Sequence, residues 1–179
     1  MYKRQLIDTT KSVWFQGRFA FTCSYAYNHI EQNPEWLAAA KSTIDFIEQH
    51  CFDSDGRMFF EVTASGEPLR KRRYVFSETF AAIAMVEYAI ASGEREYAEK
   101  ALKLFKDIQR FLNTPGVLEP KYWNTVQSKG HSIVMILINT ASRIRAAIAD
   151  PALDKQIDDS IALLPVSYTH PEPTRRTPI

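Results

Sequence analysis

A tyrosine and a glutamate stand at helical spacing in a largely apolar stretch, residues 72–89. If the helix there already includes Tyr74, then Tyr74 and Glu78 share one helix face, because residues four apart lie one turn from each other. Tyrosine aside, the polar side chains between residues 76 and 91 are Ser77, Glu78, Thr79 and Glu87. The helix must therefore bury most of its circumference, and a buried carboxylate requires a partner. Polar groups at the start of a buried helix predict a pocket.

Three further side chains could contribute to that pocket. Arg18 falls in an early turn of a predicted helix, and His131 falls just before another. Unpaired N–H groups and aligned dipoles at helix N termini favour negative charge at such a place. Structural interpretations remain open: Arg18 and Glu78 could form a buried ion pair, and Tyr74 could be a core ring. His131 could be a helix cap or an exposed loop residue, and Trp14 either a core ring or a sugar-stacking platform.

The sequence gives little support for metal chemistry. Asp53 and Asp55 resemble the first two ligands of a calcium-binding loop. The ligands that should follow them in such a loop and its closing glutamate are missing, which favours a simple turn. The four histidines lack the spacing of metal ligands: His29, His50, His131 and His170. We therefore predict no metal site and no cofactor.

The composition argues against several classes of partner. The chain has 179 residues, of which 45% are hydrophobic, so it can bury a core as one domain. A formal net charge of +1 gives no electrostatic case for binding nucleic acid or a membrane surface. The basic run at residues 70–73 is the local exception, and a solvated rim is favoured over a contact with an anionic substrate group or nucleotide. Without a signal peptide or long apolar span, a cytoplasmic protein is expected.

Cysteine usage agrees with that expectation. Cys23 and Cys51 each fall where a helical repeat calls for an apolar residue. Buried free thiols are therefore favoured over a disulfide.

The helical patterns come in pairs. Patterns buried on nearly all sides cover residues 11–30 and 76–92, and single-stripe patterns cover residues 34–51 and 94–112. A third pair follows at residues 131–149 and 152–164. Asn33 and Pro34 form a good helix start, with a capping side chain before a proline at the first helical position.

A β pattern interrupts the helices after the first pair. Residues 53–56 form a turn, residues 57–63 alternate enough for a strand, and residues 64–68 turn again. The segment is predicted to be a small hairpin.

Alternating buried and amphipathic helices are typical of a double ring, in which inner helices line the axis and outer helices cover them. The inner helices then run parallel, and their N termini gather at one end of the ring. The fold class predicted is all-α, a partial (α/α)6 barrel of about three helix pairs with a small β-hairpin insertion.

Three blocks of sequence occur in a fixed order: WFQGRFAF at residues 14–21, DSDGRMFFEVTASGEPLRKRRYVFSETFAAIA at residues 53–84, and KGHSIVMILINTASRIR at residues 129–145. In sequence and spacing they resemble the N-acylglucosamine 2-epimerase family. The resemblance implies a six-hairpin glycosidase-like α/α barrel and an isomerase that epimerises a sugar at carbon two, typically between N-acetylglucosamine and N-acetylmannosamine. Relatives of this family act on mannose, glucose or cellobiose, or isomerise aldoses to ketoses.

The resemblance also implies roles for individual residues. Epimerisation next to a carbonyl removes the proton at carbon two, stabilises an enolate and returns a proton on the other face. Arg18 matches the arginine of the QGR block, which implies a catalytic role in holding the sugar oxygen and stabilising the enolate. Substrate-binding roles are expected for Trp14, Tyr74, Glu78 and Asn139.

Two departures from the family pattern stand out. Members are about twice this long, and their catalytic histidines and an associated glutamate lie on later helix pairs without counterparts here. Residues 1–164 are therefore predicted to be a partial barrel domain, in effect a fragment. Residues 165–179 contain four prolines and no helical period, which predicts a disordered or non-native tail.

Three functions follow from these patterns. The first is a sugar 2-epimerase fragment, and the second is a non-catalytic sugar-binding or interaction module that lacks the bases. The third is another α/α-barrel enzyme, such as an aldose–ketose isomerase or a glycoside hydrolase, the latter needing two carboxylates. A small-molecule sugar is the expected partner. An open half-ring would also expose apolar flanks, which predicts a homodimer or aggregation.

Overall fold

A computed structural model describes residues 8–120, 125 and 131–164. Within these ranges the chain forms six helices and three short strands. The helices are α1 (Val13–His29), α2 (Pro34–His50), α3 (Phe76–Ser92), α4 (Arg95–Asn113), α5 (Ser132–Arg145) and α6 (Pro151–Leu163). The strands are β1 (Lys11–Ser12), β2 (Phe59–Val62) and β3 (Pro68–Lys71). The proline-rich segment 165–179 lies outside the described residues.

The six helices form two layers. The inner layer consists of α1, α3 and α5, with α3 in contact with both of the others. In the outer layer α2 packs on α1 and α3, α4 packs on α3 and α5, and α6 packs on α5. This arrangement confirms the predicted partial α/α barrel. The helix α3 is buried around its circumference from Ser77 to Ala89, as the sequence predicted.

Side-chain contacts at both ends show that the inner helices are parallel. Near their starts, the indole Nε1 of Trp14 on α1 donates to Ser77 Oγ on α3 across 3.1 Å. Near their ends, Asn28 Nδ2 on α1 donates to Glu87 Oε1 on α3 across 2.8 Å. Arg143, in the last turn of α5, reaches the other oxygen of Glu87 at 3.7 Å. The three N termini therefore lie at one end of the layer.

The predicted outer helices are amphipathic as expected. Helix α2 begins at Pro34, and the Asn33 side chain accepts a hydrogen bond from the backbone N–H of Glu35 at 2.9 Å. This cap satisfies one of the donors that a helix start leaves unpaired. On α4 the inward residues are those of the predicted stripe: Tyr97, Ala101, Leu104, Phe105, Ile108 and Phe111.

The predicted hairpin is present and has one additional strand. Strands β2 and β3 pair antiparallel, and β1, directly before α1, adds to the other edge of β2. Ser12 lies opposite Glu61 in this register. The sheet therefore fixes the start of α1 beside β2, which places Phe60 next to Trp14.

The prediction that the first helix is buried on all sides is wrong. Its buried residues form one strip, Val13, Gly17, Ala20 and Ser24, which faces α3 and α2. Phe15 is 70% exposed and Phe19 is 53% exposed. An apolar side chain is buried only where another element covers it, and among the described elements nothing covers this side of α1.

Gly17 permits the close approach of α1 to α3. A Cβ at this position would meet the carbonyl carbon and oxygen of Phe80 at 2.8 Å, which is closer than real Cβ atoms come. The backbone of α1 therefore packs directly against that of α3 one turn after Trp14. No helix in the described part of the chain is both long and apolar enough to cross a membrane.

Candidate functional site

Aromatic rings from β2 and α3 surround Trp14 at the N-terminal end of the inner helices. The centroid of the Trp14 ring lies 5.1 Å from that of Phe60 on β2, in an edge-to-face arrangement. The rings of Phe76 and Phe80, both on α3, lie 5.4 and 5.8 Å from it. Such pairs each contribute about 0.5–1.5 kcal/mol of stability in addition to the free energy gained by burying apolar area. Together with the Ser77 hydrogen bond, they hold the indole in one orientation.

Two guanidinium groups border these rings. Arg18 lies one turn after Trp14, and its Cζ stands 4.0 Å from the centroid of Phe80 and 6.0 Å from that of Trp14. Arg72 approaches from the connection between β3 and α3, with its Cζ 3.9 Å from the centroid of Phe60 and 5.6 Å from that of Trp14. We call the six residues Trp14, Phe60, Phe76, Phe80, Arg18 and Arg72 the Trp14 cluster.

Glu78 has a partner that the sequence analysis did not identify. Its side chain is fully buried, and Oε1 accepts from Arg57 Nε at 2.7 Å and from the backbone N–H of Met58 at 3.0 Å. The expectation that Glu78 could pair with Arg18 is therefore wrong. Arg18 lies on the exposed side of α1, whereas Arg57, at the end of the turn before β2, is buried against α3.

Arg57 also holds the segment that leads into α3. Its Nη2 donates to the backbone carbonyls of Tyr74 at 2.9 Å and of Arg72 at 3.2 Å. One buried side chain thereby joins the turn before β2, the β3–α3 connection and the first turn of α3. The positions of Arg72 and Tyr74 depend on it.

Tyr74 precedes the helix, so the condition for a shared face with Glu78 is not met. Helix α3 begins at Phe76, and Val75 is its N-cap residue. The half-buried ring of Tyr74 lies 6.0 Å from that of Phe76, and Arg73 stands over it at 5.4 Å. Tyr74 thus borders the Trp14 cluster from the connection. Its substrate-binding role remains a prediction.

The structure does not bring Asn139 or His131 into the Trp14 cluster. Asn139 is exposed in the middle of α5, and His131 is the N-cap residue of that helix, with no hydrogen bond from its side chain to the cap. Helix α5 packs against α3 and α4, and it reaches α1 through Arg143, which stands over Phe21 and Tyr25, well after Trp14 on that helix. Asn139 as a substrate contact also remains a prediction.

Sequence reasoning missed Arg57, Phe60 and Arg72. Phe60 was part of the predicted strand, and Arg72 part of the basic run interpreted as a rim. Strand alternation places Phe59 and Phe60 on opposite faces, which could have suggested that one of them meets a helix. Nothing local indicates that Arg57 pairs with a glutamate 21 positions away.

Within the basic run, Lys71 behaves as a rim residue. Lys71 Nζ lies 2.7 Å from Asp53 Oδ2 and 2.6 Å from Asp55 Oδ2, which ties β3 to the turn. The hydrogen bond from Lys71 and one from the backbone of Ser54 lower the pKa of Asp53. These contacts support the interpretation of Asp53 and Asp55 as turn residues.

Two grooves in the described part of the chain lie apart from the Trp14 cluster. A groove of about 560 Å³ lies between the start of α1 and α2, bordered by Lys11, Lys41 and Phe46. It contains none of the predicted site residues.

The arrangement combines an anchored aromatic platform with two arginines that have no ion pair among the described residues. It lies at the N-terminal end of the parallel inner helices of a partial α/α barrel. Comparison with known families decides where it belongs. The sequence pattern of the N-acylglucosamine 2-epimerase (GlcNAc 2-epimerase) family matches residues 3–158. The chain belongs to this family.

Individual relatives of the chain are named as sugar 2-epimerases. The chain is 27% identical over 149 residues to the N-acylglucosamine 2-epimerase of Bos taurus, covering 80% of this chain and 35% of that protein. It is 30% identical over 101 residues to a cellobiose 2-epimerase of Ruminococcus albus, covering 56% of this chain and 26% of that protein.

Solved structures show the same fold. The cellobiose 2-epimerase of Bacillus thermoamylovorans superimposes with a TM-score of 0.77 at 18% identity, covering 87% of this chain and 44% of the other. The chain thus spans about a third of the curated relatives' length and under half of this structure. The Trp14 cluster lies within the matched region of the family.

Proposed function

We propose that this chain is a sugar 2-epimerase of the N-acylglucosamine type, which interconverts N-acetylglucosamine and N-acetylmannosamine by proton abstraction at carbon two. The observation that carries the proposal is the position of the Arg18 guanidinium beside the anchored Trp14 ring at the N-terminal end of the inner helices. Family membership supports the reaction class.

The chemistry assigned to Arg18 follows from its surroundings. It donates hydrogen bonds to the open-chain sugar's carbonyl oxygen and holds the negative charge that develops there when a base takes the proton from carbon two. The family resemblance places such bases on later helix pairs, so the role proposed for Arg18 is that of the oxyanion donor. A donor that is already in position stabilises the transition state without reorganising, and removing one such donor typically costs about 10²–10³ in rate. The rings of Phe80 and Trp14 hold the guanidinium in place and exclude water from one side of it.

Trp14 is proposed to support the apolar face of the sugar ring. Its Nε1 is used by Ser77, so the indole contributes its ring face and edge rather than a hydrogen bond. Tyr74 and Asn139 are proposed as further substrate contacts. The buried Glu78 acts on the site through Arg57, since its Oε1 already accepts two hydrogen bonds.

We further propose that the chain self-associates as a homodimer. Phe15 and Phe19 on α1 are more than half exposed, and so are Met135 on α5 and Leu163 on α6. These residues lie on the two ends of the helix layer, where a second copy would cover them. Light scattering at micromolar concentration should give twice the chain mass, and a stable monomer would contradict this proposal.

A non-catalytic sugar-binding module is the second candidate, and one observation favours it. Glu78, which follows Phe76 and Ser77 in the first turn of α3, is bound by Arg57 and is not exposed as a base. A glycoside hydrolase would require two available carboxylates, which this part of the structure does not offer among the described residues.

Turnover and affinity measured on one variant distinguish the two candidates. N-acetylmannosamine is incubated with the chain, N-acetylglucosamine is quantified by chromatography, and Arg18→Ala is compared with Arg95→Ala, an exposed arginine on α4. The epimerase proposal expects the Arg18 variant to lose at least about 100-fold in rate with a modest loss of affinity. Binding without turnover by the unmodified chain would contradict it and support the binding module.

A further inference from the structure

The described arginines fall into two groups. Those outside the site each have a carboxylate oxygen within 3.7 Å: Arg57, Arg95, Arg110, Arg143 and Arg145. Those at or beside the Trp14 cluster have no ion pair with any described residue: Arg18, Arg70, Arg72 and Arg73. The absence of acidic partners is therefore confined to one place on the molecule.

Aromatic rings take the place of carboxylates there. Arg72 stacks over Phe60 at 3.9 Å, and Arg70 stands over the same ring at 5.6 Å. Arg18 stacks over Phe80 at 4.0 Å. Stacking on a ring orients a guanidinium group without neutralising its charge or using its in-plane N–H donors. The Nε of Arg72 is buried without a hydrogen-bond partner among the described residues, so a ligand meets Arg72 through its Nη groups. Neither Arg18 nor Arg72 donates a hydrogen bond to a described residue.

The described carboxylates of the adjoining turn and strands form no ion pair with these four arginines, although Glu61 lies opposite Arg70 in the strand register. Lys71, in the middle of the basic run, binds both Asp53 and Asp55, and Arg57 binds Glu78. Glu61 on β2 accepts from Thr10. Like charges held close together without a counterion repel each other, so a bound anion would relieve that repulsion.

We propose that the Trp14 cluster binds a sugar carrying a phosphate ester, with the phosphate at Arg72 and Arg70 and the reacting end of the sugar at Arg18. This inference rests on the proposed function for the role of Arg18 and names its substrate class. Arginine suits a phosphate because its fork of donors matches two phosphate oxygens. A doubly charged phosphate offsets the local excess of positive charge better than a singly charged carboxylate does.

Both guanidinium groups border the ring on which such a ligand would lie. The Cζ atoms of Arg18 and Arg72 are 6.0 and 5.6 Å from the same Trp14 centroid. A sugar lying across the indole would then extend one end to each arginine. The backbone of Arg72 is fixed by the hydrogen bond from the buried Arg57, so the phosphate site is held in place before the ligand arrives.

The test compares charged and neutral ligands on the same protein. Isothermal titration calorimetry measures dissociation constants for N-acetylmannosamine and its 6-phosphate at low salt, with glucuronate as a carboxylate-bearing sugar. We expect the phosphate ester to bind at least about tenfold more tightly than the neutral sugar, and Arg72→Gln to lose about tenfold or more of that affinity. Arg95→Gln removes the same charge from α4 and should leave the constants unchanged.

Several outcomes would overturn the inference. The inference fails if the neutral sugar and the phosphate ester have equal dissociation constants, or if neither binds. It also fails if Arg95→Gln loses as much affinity as Arg72→Gln, or if glucuronate binds more tightly than the phosphate ester. If Arg72→Gln does not fold by circular dichroism, Arg70→Gln replaces it, with the same expected direction. Deuterium exchange at carbon two of the neutral sugar, measured on the same samples, separates the claims. Deuterium exchange without tighter binding of the phosphate ester would support the epimerase proposal alone. Tighter binding of the phosphate ester without deuterium exchange would support the phosphate site alone.

Discussion

Arg57 and Glu78 form a buried ion pair in which Nε donates to Oε1 across 2.7 Å, with side chains 5% and 0% exposed. The pair joins the residues before β2 to the first turn of α3. Because Arg57 also donates to the carbonyls of Arg72 and Tyr74, the same contact sets the path of the connection that borders the Trp14 cluster. The stability of the fold and the geometry of the site are therefore linked at this pair.

Replacing one partner of this pair should be costly. We expect Glu78→Gln to lower the free energy of unfolding by about 3 kcal/mol, because Arg57 would keep a buried charge without its counterion. Urea denaturation followed by circular dichroism measures the change. As a control, Asp45→Asn breaks an exposed pair with Lys41 on α2 and should cost less than about 1 kcal/mol. Similar losses in the two variants would contradict the structural role given to Glu78.

Gly17 offers a test of the contact between α1 and α3. In an isolated helix, alanine is favoured over glycine by about 1 kcal/mol. We nevertheless expect Gly17→Ala to destabilise the protein by about 1–3 kcal/mol, because its Cβ would overlap the Phe80 carbonyl. Thr22→Ala, on the exposed side of α1, is the control and should change the unfolding free energy little. A stabilised Gly17→Ala variant would show that the helices do not approach this closely.

Cys51 should be unreactive in the folded protein. Its side chain is fully buried at the end of α2, and burial raises the pKa of its thiol to about 12. Since the thiolate is the reactive form, iodoacetamide at pH 8 should modify Cys51 only after unfolding. Mass spectrometry of peptides from native and urea-treated samples would show this. Rapid modification of Cys51 in the native state would rule out the packing described for α2.

Acid should release the contact between β3 and the preceding turn. The hydrogen bond from Lys71 holds the pKa of Asp53 below its usual value. A carboxyl group whose pKa is lower in the folded state stabilises the fold at pH values above its unfolded-state pKa. That contribution is lost as the pH falls through its folded-state pKa. NMR titration should show the Asp53 pKa rising in Lys71→Met but not in Lys41→Met. An unchanged Asp53 titration in Lys71→Met would contradict the contact.

Local patterns predicted most of the helices. The stripe on α4 and the all-round burial of α3 depend on the order of apolar residues within each segment, and both are confirmed. The hairpin was also predicted, because turn residues and alternation are local signals. The pattern predicted over residues 76–92 coincides with α3, and the condition that would have put Tyr74 inside the helix is not met, since the N-cap residue is Val75.

The errors concern contacts between distant segments. Burial of α1 depends on which elements lie beside it, and its aromatic residues alone do not reveal that Phe15 and Phe19 face outward. Glu78 was correctly expected to need a partner, but the partner is Arg57 rather than Arg18. Pairing across a turn and a strand leaves no periodic signal in the sequence.

The most direct test of the proposed epimerase is proton NMR of N-acetylmannosamine in heavy water with the purified chain. Proton abstraction at carbon two should replace that proton with deuterium, so its signal should decay faster than in buffer. Arg18→Ala should abolish the excess decay, whereas Arg95→Ala should preserve it. If a folded sample gives no decay beyond the buffer control, the chain does not carry out the chemistry proposed for it.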